Sequence, residues 1–213
     1  MKVKITIPER LEDIKLSQYQ KFLRTTKDSQ DENFIVRQMV GIFCNIPDDV
    51  VGSIRANDYE GIVTQITNVL EQKPTFVQRF KKDGIEYGFM PKLDDMTVDE
   101  KADLDTYYKD VQGLHKAMAV LYRPVKHKFR DTYTIEEYKG KGELDVNLNI
   151  AFGANVFFST LMKDLLSCTQ SFIESQMEHN DKVSQILAEN GIGINHTMDS
   201  LKEISQNLMK WVG

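Results

Sequence analysis

Cysteine is scarce in this sequence: only Cys44 and Cys168 occur, both within predicted helices and in apolar surroundings. Such residues read as small buried apolar side chains rather than as a disulfide or a reactive pair. Histidine is scarce as well. His115, His127, His179 and His196 show no HxxxH-like spacing, so no zinc site is expected. Long apolar runs are missing. The most apolar stretch, residues 150 to 158, is nine residues long and contains Asn155, whereas a membrane span needs about 20. Residues 1 to 8 alternate charged and apolar side chains and lack the apolar core of a signal peptide. An intracellular protein, or one assembled from an intracellular pool, is expected. There is also no nucleophile elbow, Walker A loop, GxGxxG, HExxH or CxxC. These absences lead us to expect a protein that is not an enzyme, with no catalytic residue, cofactor or metal.

What is present is ordinary globular material. The 213 residues suffice for one domain with an extension, or for two small domains. Apolar residues make up 41% of the chain, enough for a real core, which excludes collagen-like and largely disordered readings. Lysine and arginine total 27 against 32 aspartates and glutamates, a formal net charge of −5. A mildly acidic chain is not a general nucleic-acid coat, although it can still carry a local basic patch.

Periodicity organises the chain. Residues 3 to 7 alternate as a strand that Pro8 stops. Ser17 and Gln20 form an S-x-x-Q capping box for a helix to about Thr25. Phe34, Ile35, Met39, Ile42, Phe43 and Ile46 follow helical spacing up to Pro47. Asn57 or Asp58 is expected to cap a third helix, whose apolar face runs from Tyr59 to Leu70. Residues 76 to 89 read as a hairpin turning at Asp83-Gly84. Helix five follows Thr97 with its Glu100 partner, and a sixth carries Val111, Leu114, Met118, Leu121 and Tyr122 until Pro124. A second hairpin pairs residues 126–130 with 133–138. Leu144, Val146, Leu148 and Ile150 alternate as a strand, and helical spacing resumes from Phe152.

An internal echo stands out. Ile7-Pro8 leads into Leu11-Glu12-Asp13-Ile14, and Met90-Pro91 leads into Leu93-Asp94-Asp95-Met96, each before a capped helix. A strand is expected ahead of each copy, so residues 3 to 7 should join the 76–89 hairpin in one sheet. The fold class expected is mainly α (α+β): a helical domain with a small antiparallel β-sheet and a C-terminal helical extension. The core domain should occupy residues 1–178, and the extension 179–213.

Few residues invite chemistry. The pairs Asp48-Asp49 and Asp94-Asp95 sit at helix starts, where carboxylates favour the positive end of the dipole, so capping is the better reading than acid–base or magnesium work. Arg123, Lys126, Lys128 and Arg130 place four cations within eight residues of an acidic protein, with His127 and Phe129 among them. Two readings are open for this segment. It is a solvated hairpin, or it is an exposed positive edge meeting DNA phosphate or an acidic partner. Phe157-Phe158 is a second candidate: adjacent aromatics on a helix point about 100° apart, so one ring can face its own core and the other elsewhere, although burial of both is the preferred reading. In the tail, Leu201, Ile204, Leu208 and Trp211 form a narrow seam after the Gly191-Ile192-Gly193 hinge, which is either a candidate protein interface or a helix that caps its own core.

Several stretches together resemble a family encoded among the structural genes of tailed bacteriophages, including the Bacteroides-infecting crAss-like phages. They are residues 5–8 with 16–22, residues 89–97, residues 115–124 and residues 153–158. The resemblance covers about residues 3 to 170 and leaves out the tail after Glu178. It implies a neck, tail-connector or tail-assembly protein without catalysis, present in the virion and assembled in the bacterial host cytoplasm. A subunit of a multimeric ring in the portal, neck or tail connector is the expectation. Its partners would be copies of itself and the portal or tail proteins, with passing contact with packaged DNA and none with membrane. The alternatives are a tail-assembly chaperone absent from the mature virion and, from another class, a host-directed enzyme or regulator.

Overall fold

Asp83-Gly84 is the tightest local instruction in the chain, and it is obeyed. Both residues have positive φ (51° and 81°), as a two-residue hairpin turn requires. They join β1 (Arg79–Lys82) to β2 (Ile85–Phe89) in an antiparallel pair. The computed structural model describes residues 5–130, 132–140, 142–158 and 160. Its four-stranded sheet has the order β1-β2-β3-β4, with β3 at Tyr122–Phe129 and β4 at Thr132–Ile135. Among the described residues the α-helices include α1 (Leu16–Thr26), α2 (Glu32–Phe43), α3 (Asp48–Val51), α4 (Ala56–Leu70), α5 (Val98–Tyr107) and α6 (Leu114–Leu121). Residues 148–154 are also helical, as are 155–158. A mainly α fold with a small antiparallel sheet is therefore what forms.

The chain divides into one unit over Met1–Ala154 and a second beginning at Asn155. The boundary expected at residue 178 lies outside the described residues. Within the first unit α1 packs on α2, α2 on α4, and α5 on α6. Ile14, Leu16, Val40, Ile66, Val120, Leu121 and Leu148 are fully buried between these elements. Each such side chain contributes about 1.5–3 kcal/mol relative to exposure. One face of the sheet adds an aromatic cluster. Phe89 stands 5.0 Å from Phe76 and 5.2 Å from Tyr122, and Tyr122 stands 5.1 Å from Phe80. The Tyr122 hydroxyl donates to the Val77 carbonyl at 2.7 Å, so its polar end is satisfied although the residue is 1% exposed.

The internal echo is structural. Leu11–Asp13 and Leu93–Asp95 each form a single 3-10 turn, separated by two residues from α1 and α5 respectively. Each turn closes on the apolar fourth residue, through Ile14 N–H to Leu11 O and Met96 N–H to Leu93 O. What precedes them differs. A strand ends at Phe89 before the second copy, but Ile5–Ile7 join no strand. The sheet is completed by β3 and β4 instead, and the N-terminal segment is not in the strand order.

Three other expectations shift for identifiable reasons. Helix α1 does not use the Ser17–Gln20 box. Lys15 N–H donates to Gln18 Oε1 one register earlier, while Ser17 gives both its N–H and its hydroxyl to the Asp145 carboxylate at 2.9 and 2.8 Å. Gln20 is buried and donates to the Val111 carbonyl. Helix α4 starts one residue before Asn57, after Arg55, with no side-chain cap from either Asn57 or Asp58. Pro124 does not end a helix. Helix α6 stops at Leu121 and the apolar run carries straight into β3, where Pro124 sits at the last β2 pair and beside a bulge at Val125/His127. Those are positions where a missing N–H costs least.

Candidate functional site

The second hairpin brings the basic segment to one end of the sheet. Phe129 pairs with Thr132, Lys128 with Tyr133 and His127 with Thr134, and Lys126 is the extra residue of the bulge. A bulge leaves one residue unopposed and twists the strand, and Lys126 is exposed there. Lys128 lies 3.4 Å from Glu86 of β2. Arg130 takes a left-handed backbone (φ 53°), and its guanidinium stands 5.4 Å from the centre of the Phe129 ring. Phe129 itself is 72% exposed, although it is aromatic.

Arg123 is not part of that exposed edge. Its side chain is 12% exposed, and its Nη1 sits 2.7 Å from Glu100 Oε1, itself buried. The other oxygen of Glu100 accepts from Thr97 N–H at 2.7 Å, while Glu100 N–H donates to the Thr97 hydroxyl at 3.2 Å. One carboxylate therefore completes the capping box of α5 and anchors that helix to β3. Arg123 Nε is buried with no hydrogen-bond partner. A cation expected to face a partner is instead spent inside the unit, on a residue 23 positions upstream that no local pattern links to it.

Arg123 and Glu100 also line a cleft of about 660 Å³ beside β4. Residues 133–138 form one wall, and Met90–Lys92 with Asp95, Thr97 and Asp99 form the other. Five carboxylates (Asp95, Asp99, Glu100, Glu136 and Glu137) face two cations, Lys92 and Arg123. Buried Met90 and Tyr133 and half-buried Ile135 and Tyr138 supply apolar lining. The Tyr138 hydroxyl donates to Asp103, and burial followed by that contact pushes its pKa upward. Periodicity did not mark this cleft. The only local sign was the Glu136-Glu137 pair following a strand, because the two walls lie about 40 residues apart in sequence.

The sheet face behind the cleft is held by close packing. Gly88 has no side chain to obstruct Tyr133, whose ring crosses β3 and whose hydroxyl donates to the Phe89 carbonyl at 2.6 Å. Arg79 lies 5.6 Å over the same ring and 3.6 Å from Glu86.

No family model, curated protein or solved structure matches the chain.

The remaining candidates carry no visible chemistry. Asp48 opens α3 without capping it and is gripped by Arg37, whose hydrogen bond lowers the carboxyl pKa. Burial pushes the Cys44 thiol up to about 11, which leaves it protonated and inert at neutral pH. His115 lies 3.1 Å from Gln20 Nε2 and 3.6 Å from Glu143. Among the described residues, no group of three or more His, Cys, Asp or Glu is placed to hold a metal, and no helix is long and apolar enough to cross a membrane. Phe158 is buried and Phe157 partly so. Leu201, Ile204, Leu208 and Trp211 lie outside the described residues.

Proposed function

We propose that this chain is a non-enzymatic structural subunit of a tailed-phage particle, part of a multimeric ring in the portal, neck or tail connector. The observation that carries the reading is the pair of unlike surfaces on one unit. A basic hairpin tip and an acidic cleft are what a head-to-tail ring needs, because a heterologous interface joins two different patches rather than one patch to itself. The resemblance to phage structural proteins supplies the setting. Three of its stretches also meet in the core: Met90 N–H donates to Leu121 O at 2.8 Å, and Gln20 lies against His115.

In this reading Lys126, Lys128 and Arg130 contact a neighbouring subunit or, in passing, packaged DNA, and Arg123 holds the hairpin base. Leu201, Ile204, Leu208 and Trp211 form a second contact with a neighbour. The deciding experiment is quantitative mass spectrometry of purified particles. A fixed copy number of several per particle is expected. Absence from mature particles, with presence in infected-cell assembly intermediates, would overturn the virion role in favour of a chaperone. For the tail, fluorescence of Trp211, the only tryptophan, should shift from exposed to buried on assembly.

A further inference from the structure

We infer that the β3–β4 tip of one copy of this chain docks in the cleft beside β4 of the next copy, with Phe129 as its anchor and Lys126 and Arg130 meeting Glu136 and Glu137. The inference rests on the ring-subunit reading and gives its contact a chemical form. The two surfaces are complementary in charge: three exposed cations stand within five residues at the tip, and around the cleft Arg123 and Lys92 pair with Glu100 and Asp95, which leaves Asp99, Glu137 and Glu136, the last with Lys139 3.6 Å away. They are also complementary in kind. A ring of Phe129's size, left 72% exposed at the end of a hairpin, is costly in water. The cleft offers about 660 Å³ with Met90, Ile135 and Tyr138 among its lining. Aromatic residues and arginine entering a well-packed pocket with a polar rim are the usual centre of a protein interface.

The contact has to be between copies. Phe129 is tied to Thr132 by strand pairing and by the Thr132 hydroxyl donating to the Phe129 carbonyl at 2.8 Å. Tip and cleft thus sit along the same short strand, and the paired hairpin cannot fold back on its own edge. Lys128 is already engaged with Glu86. The bulged Lys126 and the tip residue Arg130 lead the contact, and Lys128 joins it from the margin.

The test is a charge swap in the full chain, read by sedimentation over a range of concentrations. Lys126→Glu with Arg130→Asp reverses the tip, aspartate being chosen because it tolerates the left-handed backbone at 130. Glu136→Lys with Glu137→Lys reverses the cleft. Each pair should weaken self-association about tenfold or more, in a salt-sensitive way. Combining all four changes in one chain, or mixing the two reversed chains, should restore it. Phe129→Ser should weaken association without altering any charge. Several results overturn the proposal: a wild-type chain that stays monomeric, an effect from only one of the two reversals, reversals that do not rescue each other, or unchanged association with Phe129→Ser. A tip reversal that abolishes DNA binding alone would assign the tip to nucleic acid instead. Particle composition separates the two readings. Protein missing from particles overturns the virion role while leaving a successful swap intact, and protein present with a failed swap overturns this contact alone.

Discussion

Replacing Gly88 by alanine should damage the sheet by a calculable route. A methyl group there would lie 2.4 Å from Tyr133 Cε2, 2.9 Å from Cδ2 and 3.1 Å from Cζ. Carbon atoms in contact prefer about 3.5–4.0 Å, so the ring must retreat by roughly 1 Å. The retreat breaks the 2.6 Å bond from the Tyr133 hydroxyl to the Phe89 carbonyl and lifts the ring from Arg79. Overpacking costs about 1–3 kcal/mol and a lost hydrogen bond about 0.5–1.5. Removing a glycine from a strand returns about 0.5–1 kcal/mol. The net expected loss is about 0.5–4 kcal/mol, centred near 2, read from urea unfolding at constant m-value. Tyr133→Phe should lose only the hydrogen-bond part. In a Tyr133→Ala background the obstacle is gone, and Gly88→Ala should become neutral or stabilising. A Gly88→Ala variant within about 0.5 kcal/mol of wild type, the ordinary range for inconsequential surface changes, would refute the argument. So would an equal loss in the Tyr133→Ala background.

Arg123→Met should destabilise by about 3–5 kcal/mol, because it leaves the buried Glu100 carboxylate without its cation. Adding Glu100→Gln should recover more than half of that loss, and a double-mutant cycle giving a coupling below about 1 kcal/mol would place the pair with ordinary surface pairs. Asp145→Ala should cost about 1 kcal/mol through the two Ser17 bonds at the start of α1, measured by denaturation. Alkaline titration should separate the tyrosines. Burial raises the pKa of Tyr122 and Tyr133 in the fold, so their contribution to stability is present below about pH 10 and lost as pH rises through their higher folded values. Tyrosinate absorbance should rise in two phases, the later one coinciding with loss of circular dichroism. All eight tyrosines ionising together with the fold retained would contradict this.

What was legible in the sequence was what neighbours in the chain decide. Asp83-Gly84 specifies its turn alone, Thr97 and Glu100 specify their helix start within four residues, and each L-x-D turn closes on its own fourth residue, although Gln72 also ties down the first. What was illegible depended on partners far along the chain. Ser17 looked like half of a capping box until Asp145 supplied its acceptor. Arg123 looked like one more exposed cation because Glu100 is on another element. Leu144, Val146 and Leu148 alternate like a strand and are buried, yet only Asn147 forms a bridge, with Lys15, because this segment meets a helix start rather than a sheet edge. The cleft was missed for the same reason, its two walls being distant in sequence.

The short segment from Leu144 to Asn149 has a consequence for the order in which the chain can become structured. Leu144 N–H donates to His115 O, Leu16 N–H donates to Val146 O, Leu148 N–H donates to Ile14 O, and Asn149 accepts from Thr75 N–H. Asp145 meets Ser17 across 128 positions of sequence. During synthesis at about 5–20 residues per second, the start of α1 therefore waits roughly 6–25 s for its acceptor. Through that interval the Leu16 N–H and Ser17 lack the acceptors that Val146 and Asp145 supply. The segment is in effect a clasp made last, and only a ribosome that has passed residue 149 releases a chain able to fasten it.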